Sequence, residues 1–172
     1  MKISIRTVVL GAVLAVGAAL PVAAQDVSFG YQFQRISCCG HSDNFPMGFN
    51  ADASFPIGGG ALSGMGQFDW SRTSDGGVTE TIMGFGGGVR WSRLSNPKAT
   101  PFVQIGVGAG RDSFEDVSET DLGVQVGGGV AVPINDTISA VGQADYRRVF
   151  KEDGGTNSIR FVGGIRITLK DR

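Results

Sequence analysis

Histidine and cysteine are scarce in this chain: its 172 residues include one histidine and two cysteines. The single histidine, His41, has no serine and carboxylate at a spacing that suggests a hydrolase, so the material for acid-base or nucleophilic catalysis is thin. No cofactor is indicated. The run Gly106-Val-Gly108-Ala-Gly110-Arg111 lacks the third glycine and the Lys-Ser/Thr pair of a phosphate loop, and acidic residues rather than a helix follow it. Basic excess is missing too. With 15 Lys plus Arg against 16 Asp plus Glu the net charge is −1, which points away from nucleic acid as a partner. There is no collagen triplet and no low-complexity tract.

Glycine, by contrast, is abundant: 28 residues, roughly twice the usual ~7%. Each glycine inside a helix costs about 1 kcal/mol relative to alanine. Long helices are therefore disfavoured, and the interleaved aromatic and β-branched residues read as all-β. The one apolar run, Val8 through Leu20, follows Lys2 and Arg6 and precedes the small residues Val22-Ala23-Ala24. These are the three regions of a secretory signal peptide, with cleavage expected after Ala24. The run is short for a spanning helix. Removing it deletes two basic residues and makes the remainder more acidic. Residues 25–172 then suit a single domain.

Alternation of apolar with polar or small residues marks strands with two unlike faces. Eight segments qualify: 27–34, 45–55, 62–70, 80–91, 102–109, 121–132, 138–150 and 159–169. The sixth is the cleanest, with Leu122, Val124, Val126, Val130 and Val132 opposing Asp121, Gly123, Gln125, Gly127, Gly129 and Ala131. The seventh is the weakest, since Val141 and Arg148 break its pattern. Three connections carry proline (Pro56, Pro97, Pro133). The other four, 37–44, 71–77, 111–120 and 151–157, are polar and charged. An even strand count puts both termini on the side of the proline-bearing turns, which leaves the polar loops outside the cell.

Eight strands leave a lumen only wide enough for side chains to fill. The glycine-rich polar face suits that interior, and the Phe, Trp, Tyr, Val and Ile face suits lipid. Aromatics near strand ends form two girdles, Phe55 and Trp91 at the turn side and Phe45, Trp70 and Phe150 at the loop side. The inward set holds Asp52, Asp69, Glu80, Asp121 and Asp145 with Arg90, Arg147, Arg160 and Arg166, a near balance that lets buried charges offset one another. A salt-bridged plug is the expectation, not a large pore.

The pattern resembles the small outer-membrane β-barrel family, OmpA/OmpX-like or porin-like single domains, across the whole of 25–172. The resemblance rests on Thr100-Pro-Phe-Val-Gln-Ile-Gly-Val-Gly-Ala-Gly110, Val126-Gly-Gly-Gly-Val130, Gln143-Ala-Asp-Tyr146 and Phe161-Val-Gly-Gly-Ile-Arg-Ile-Thr-Leu169. It implies an eight-stranded antiparallel up-and-down barrel in the outer membrane, with outer-membrane lipid and the outer-membrane assembly machinery as partners. Members commonly end on an aromatic residue read by that machinery. This chain departs from the pattern, with aliphatic Ile167 and Leu169 followed by Lys170-Asp171-Arg172.

Cys38 and Cys39, with His41 and Asp43 nearby, are the odd chemical cluster. Adjacent Cα atoms stand about 3.8 Å apart, below the roughly 4.4–6.8 Å of ordinary disulfides. A strained vicinal bridge, a bridge between molecules, a soft-metal site and a pair without function all stay open, and no metal site is assigned. Neither cysteine sits where a lipid anchor would be attached.

The sequence reads as an integral outer-membrane barrel with a structural or surface-interaction role, its surface partner unknown. A narrow channel for small solutes and a soluble ligand-binding barrel are the alternatives. The sidedness is testable. An epitope inserted near Glu115 is expected to bind antibody on intact cells, and one near Asn96 only after the outer membrane is breached; the reverse labelling inverts the topology.

Overall fold

The structure is a computed structural model and describes residues 26–38, 41–58, 61–75, 78–93, 98–114, 117–151 and 154–169. The signal segment, Cys39, Glu115 and Asn96 lie outside the described residues. Within them the chain forms β1 (Asp26–Cys38), β2 (His41–Phe45), β3 (Met47–Pro56), β4 (Leu62–Asp75), β5 (Val78–Ser92), β6 (Thr100–Phe114), β7 (Val117–Pro133), β8 (Ile138–Lys151) and β9 (Gly154–Thr168). Every neighbouring pair is antiparallel, and β9 returns to pair with β1 over Asp26↔Thr168 through Ser37↔Asn157. Closure leaves the sheet without an edge. β2 and β3 are two lengths of one stave, so the barrel has eight.

The break inside that stave is a bulge. Gln34 pairs with Phe45 while Tyr31 pairs with Phe49, so three residues on one strand oppose two on the other. Pro46 sits at the break, where its missing N–H costs no ladder bond. One extra residue reverses the facing of everything before it. Phe45, expected in the loop-side girdle, instead points into the barrel and is 1% exposed, while Met47 faces out at 60%. The girdle assignment of Phe45 is thus corrected. Trp91 and Phe150 are exposed on the outer face, and Phe55 and Trp70 are half-buried there.

Burial runs opposite to that of a water-soluble protein. Ile105, Val107, Phe29 and Phe161 are 52–62% exposed, while Gln32 and Asp69 are fully buried. A soluble barrel would put its apolar face inside; this one shows that face to its surroundings, as a lipid-embedded barrel must. The two off-pattern residues of β8 resolve accordingly. Val141 faces inward and packs with Phe102 and Ala131, and Arg148 faces outward.

The four polar connections are mostly strand. β6 and β7 stay paired through Arg111↔Thr120 to Phe114↔Val117, β4 and β5 through Asp75↔Val78, and β1 and β2 through Cys38↔His41. Hydroxyl pairs span two of these extensions, Ser37–Ser42 at 2.9 Å and Ser74–Thr79 at 3.3 Å. Beyond the bilayer a strand needs no apolar face, so hydrophobic alternation ends before the ladder does. The Pro133 turn between β7 and β8 is compact. In it the Asn135 side-chain oxygen accepts from the backbone N–H of Thr137 and Ile138 at 2.9 and 2.8 Å, an Asx turn.

The closing seam leaves no room at Gly164, where an added Cβ would run into the backbone of Phe29 and Gly30; at its neighbour Gly163 the same atom meets nothing within 4 Å. Gly164→Ala is therefore expected to lose about 1–3 kcal/mol and most of the fast-migrating, heat-modifiable band in unboiled SDS gels. Gly163→Ala is expected to keep that band. Equal folded yields for the two would contradict the β1–β9 closure.

Candidate functional site: the charged lumen

Strand parity delivers the polar side chains of all eight staves into one narrow space. Asp69 of β4 is the hub. It is fully buried and accepts from Arg147 of β8 through both terminal guanidinium nitrogens, at 2.5 and 3.2 Å, and from Arg160 of β9 at 2.9 Å. Asp145 takes a second nitrogen of Arg160 at 2.6 Å and the Arg160 Nε at 3.2 Å, with amide donors from Gln104 and Gln143 at 2.9 and 2.7 Å. Paired, hydrogen-bonded geometry of this kind is what makes buried charge tolerable. Gly84 and Gly127 give the cluster its space, since a Cβ at the first would strike Arg147 and Asp69 and at the second Asp145.

Around the ions lies a layer of glutamines. Gln67 donates to Asp69 and exchanges hydrogen bonds with Gln125 across the lumen, while Gln32 donates to Ser71 at 2.7 Å. These amides supply both donors and acceptors without adding charge. On the turn side Arg90 binds Asp52 at 2.9 Å and Gln104 at 3.0 Å. Arg166 donates to Ser28 at 3.4 Å, and no carboxylate lies within ion-pair distance of it among the described residues. Both guanidinium groups lie over the Phe102 ring, 4.8 and 5.1 Å from its centroid, an attraction that suits desolvated cations.

Of the nine lumen charges expected from sequence, Asp52, Asp69, Asp145, Arg90, Arg147 and Arg160 form ion pairs in this network. Arg166 is buried beside them without a carboxylate. Glu80 and Asp121 are half-buried nearer the loop-side mouth and form no ion pair among the described residues. Lys151–Asp112, at 2.7 Å and partly exposed, is the ion pair at that end among the described residues; both residues fall in segments read from sequence as loop. Cys38 is exposed at the end of β1, and Cys39 lies outside the described residues. His41 stands on an exposed hairpin in register with Cys38, away from the charged cluster.

A closed, lipid-facing barrel with a polar, ion-paired interior defines a class of integral membrane protein. The chain belongs to the outer membrane protein beta-barrel domain family, whose model matches residues 8–169; that membership places it in the outer membrane. The fold is similar to Neisserial surface protein A (NspA), at 14% identity and TM-score 0.74, covering 84% of this chain and 96% of that one. It is similar to Ail, the attachment invasion locus protein of Yersinia pestis, solved with the heparin analogue sucrose octasulfate, at 17% identity and TM-score 0.57 over 83% and 97%. The outer membrane enzyme PagL follows at 15% and 0.51, over 84% and 99%. At these identities the likeness is one of fold. No curated protein matches the chain by sequence.

The hub makes a sharp prediction. Asp69→Asn keeps the shape but leaves Arg147 and Arg160 short of a buried counter-charge, an expected loss of about 3–5 kcal/mol. Asp121→Asn removes a half-buried carboxylate without an ion pair and is expected to shift stability by no more than about 0.5 kcal/mol. Urea midpoints in lipid vesicles measure both, and equal midpoints would contradict the network.

Proposed function

We propose that this protein is a non-conducting, non-enzymatic outer-membrane barrel that serves membrane structure or surface interaction, exported by a signal peptide cleaved after Ala24. The observation that carries the reading is the burial of the lumen charges. Asp69 is 0% exposed, Arg90 1% and Arg160 2%. A conducting path would leave such groups wet. Here these groups bind one another and glutamines, one Arg90 terminal nitrogen excepted, and an ion passing through would have to displace partners held at 2.5–2.9 Å.

The four hairpins that continue past the apolar band support the surface role. They carry hydroxyl and charged side chains such as Ser37, Ser42, Ser74 and Thr79 on paired strands, a presentation more rigid than loose loops give. His41 has no hydrogen-bonded serine or carboxylate among the described residues. At 15% identity the fold shared with PagL carries no activity across by itself. The partners that fit this reading are outer-membrane lipid and the assembly machinery that inserts such barrels.

Purified protein reconstituted in planar bilayers is expected to show no discrete conductance steps. Arg147→Ala combined with Arg160→Ala, which removes two of the guanidinium groups filling the mid-lumen, is expected to produce them. Steps in the unaltered protein would overturn the plugged-lumen reading in favour of a solute channel.

A further inference from the structure

The charge balance of the lumen fails at its turn-side end. Arg166 is 7% exposed and Arg90 1%. Each has a buried terminal guanidinium nitrogen with no acceptor among the described residues. The two groups are neighbours, as their other bonds show. The Arg166 Nε donates to Ser28 at 3.4 Å and Arg90 donates to Asp52 at 2.9 Å, and Ser28 and Asp52 are register partners on β1 and β3. Both guanidinium groups also lie over the one Phe102 ring.

Against these two cations stands one carboxylate, Asp52, already bound to Arg90. Asp26, nearer the mouth, accepts from the Thr168 hydroxyl at 2.7 Å, and Asp136 is exposed on its turn. One further negative charge would bring the layer to neutrality, and a buried cation short of a partner costs several kcal/mol. The approach is from the turn side. Ser139 of β8, in register with Arg166, is half-buried, as is Asp26, and Thr168 is exposed. Toward mid-barrel, Gln67, Gln104 and the Asp145–Arg160 pair fill the lumen. Beside the ring, Ala131 and Val141 give the layer an apolar wall.

We propose that this end of the lumen is a blind binding site for a short aliphatic carboxylate entering by the turn-side mouth. Its oxygens accept from the spare nitrogens of Arg90 and Arg166, and its alkyl end rests on Ala131 and Val141. A carboxylate brings two acceptor atoms and a single negative charge, which matches two orphan donors and one missing charge. The site rests on the plugged-lumen reading for its closed inner end.

Saturation-transfer NMR on the full barrel in zwitterionic detergent, with sodium acetate as the probe and sodium chloride holding ionic strength constant, tests it. Acetate is expected to bind, and to raise the urea midpoint in lipid vesicles as a ligand of the folded state alone does. Arg166→Gln is expected to weaken binding about tenfold, as loss of about 1.4 kcal/mol would. Ser139→Asp sets a carboxylate opposite Arg166 and is expected to abolish the acetate response while raising the midpoint in acetate-free buffer. Arg148→Gln, on the exposed outer face, is expected to leave binding unchanged. No acetate binding by the unaltered barrel, undiminished binding in a folded Arg166→Gln or Ser139→Asp barrel, or equal affinity for chloride would overturn the proposal. Acetate binding that arises only in Asp171→Asn would overturn it in favour of a carboxylate of the chain itself. Should Arg166→Gln lose its heat-modifiable band, Ser139→Asp decides. Conductance steps in the unaltered protein would instead overturn the plug and leave the binding measured in detergent standing.

Discussion

Closing eight staves into a ring fixes a lumen too narrow for bulk water and too wide to be left empty, and the rest of the structure answers that constraint. The interior must be filled by side chains whose polar groups satisfy one another, because a buried charge without a partner costs several kcal/mol. Asp69 meets the requirement by holding two guanidinium groups from strands far away in sequence, Arg147 and Arg160. Asp145 ties Arg160 to β8, and glutamines from five staves fill the space between. Glycine is the counterpart of this filling. Where the ions are bulkiest, at Gly84 and Gly127, the facing wall has no side chain at all.

The same closure determines what the outside can be. With β9 closing on β1, backbone groups across the band are spent on neighbouring strands rather than on lipid, and the outer face is free to be apolar there. At the loop-side end charge returns, in exposed arginines on alternate staves. Inner and outer faces thus handle arginine by opposite means. Inside, Arg90, Arg147 and Arg160 are neutralised by carboxylates; outside, Arg35, Arg72 and Arg148 are exposed.

The turn-side half of the lumen differs from the middle. There Phe102, Ala131 and Val141 form a small apolar patch, with Arg90 and Arg166 over the aromatic ring. The charge balance that holds around Asp69 lapses at Arg166, which leans on a ring face and a serine hydroxyl instead of an acid.

Alternation along the chain determined most strand faces and the inward set of charges, because a period of two is a local property that each segment carries by itself. It did not determine where a strand ends once it leaves the bilayer: 111–120 and 151–157 read as loop, yet Asp112 and Lys151 lie on strands and pair. Nor did it register Pro46 as a bulge, although proline within an alternating run is the signal for one, and so Phe45 was given the wrong face. Which acid meets which base, and that Arg166 meets none, depends on stagger between staves and on closure of β9 against β1. Those are relations among distant strands, and only the closed barrel decides them.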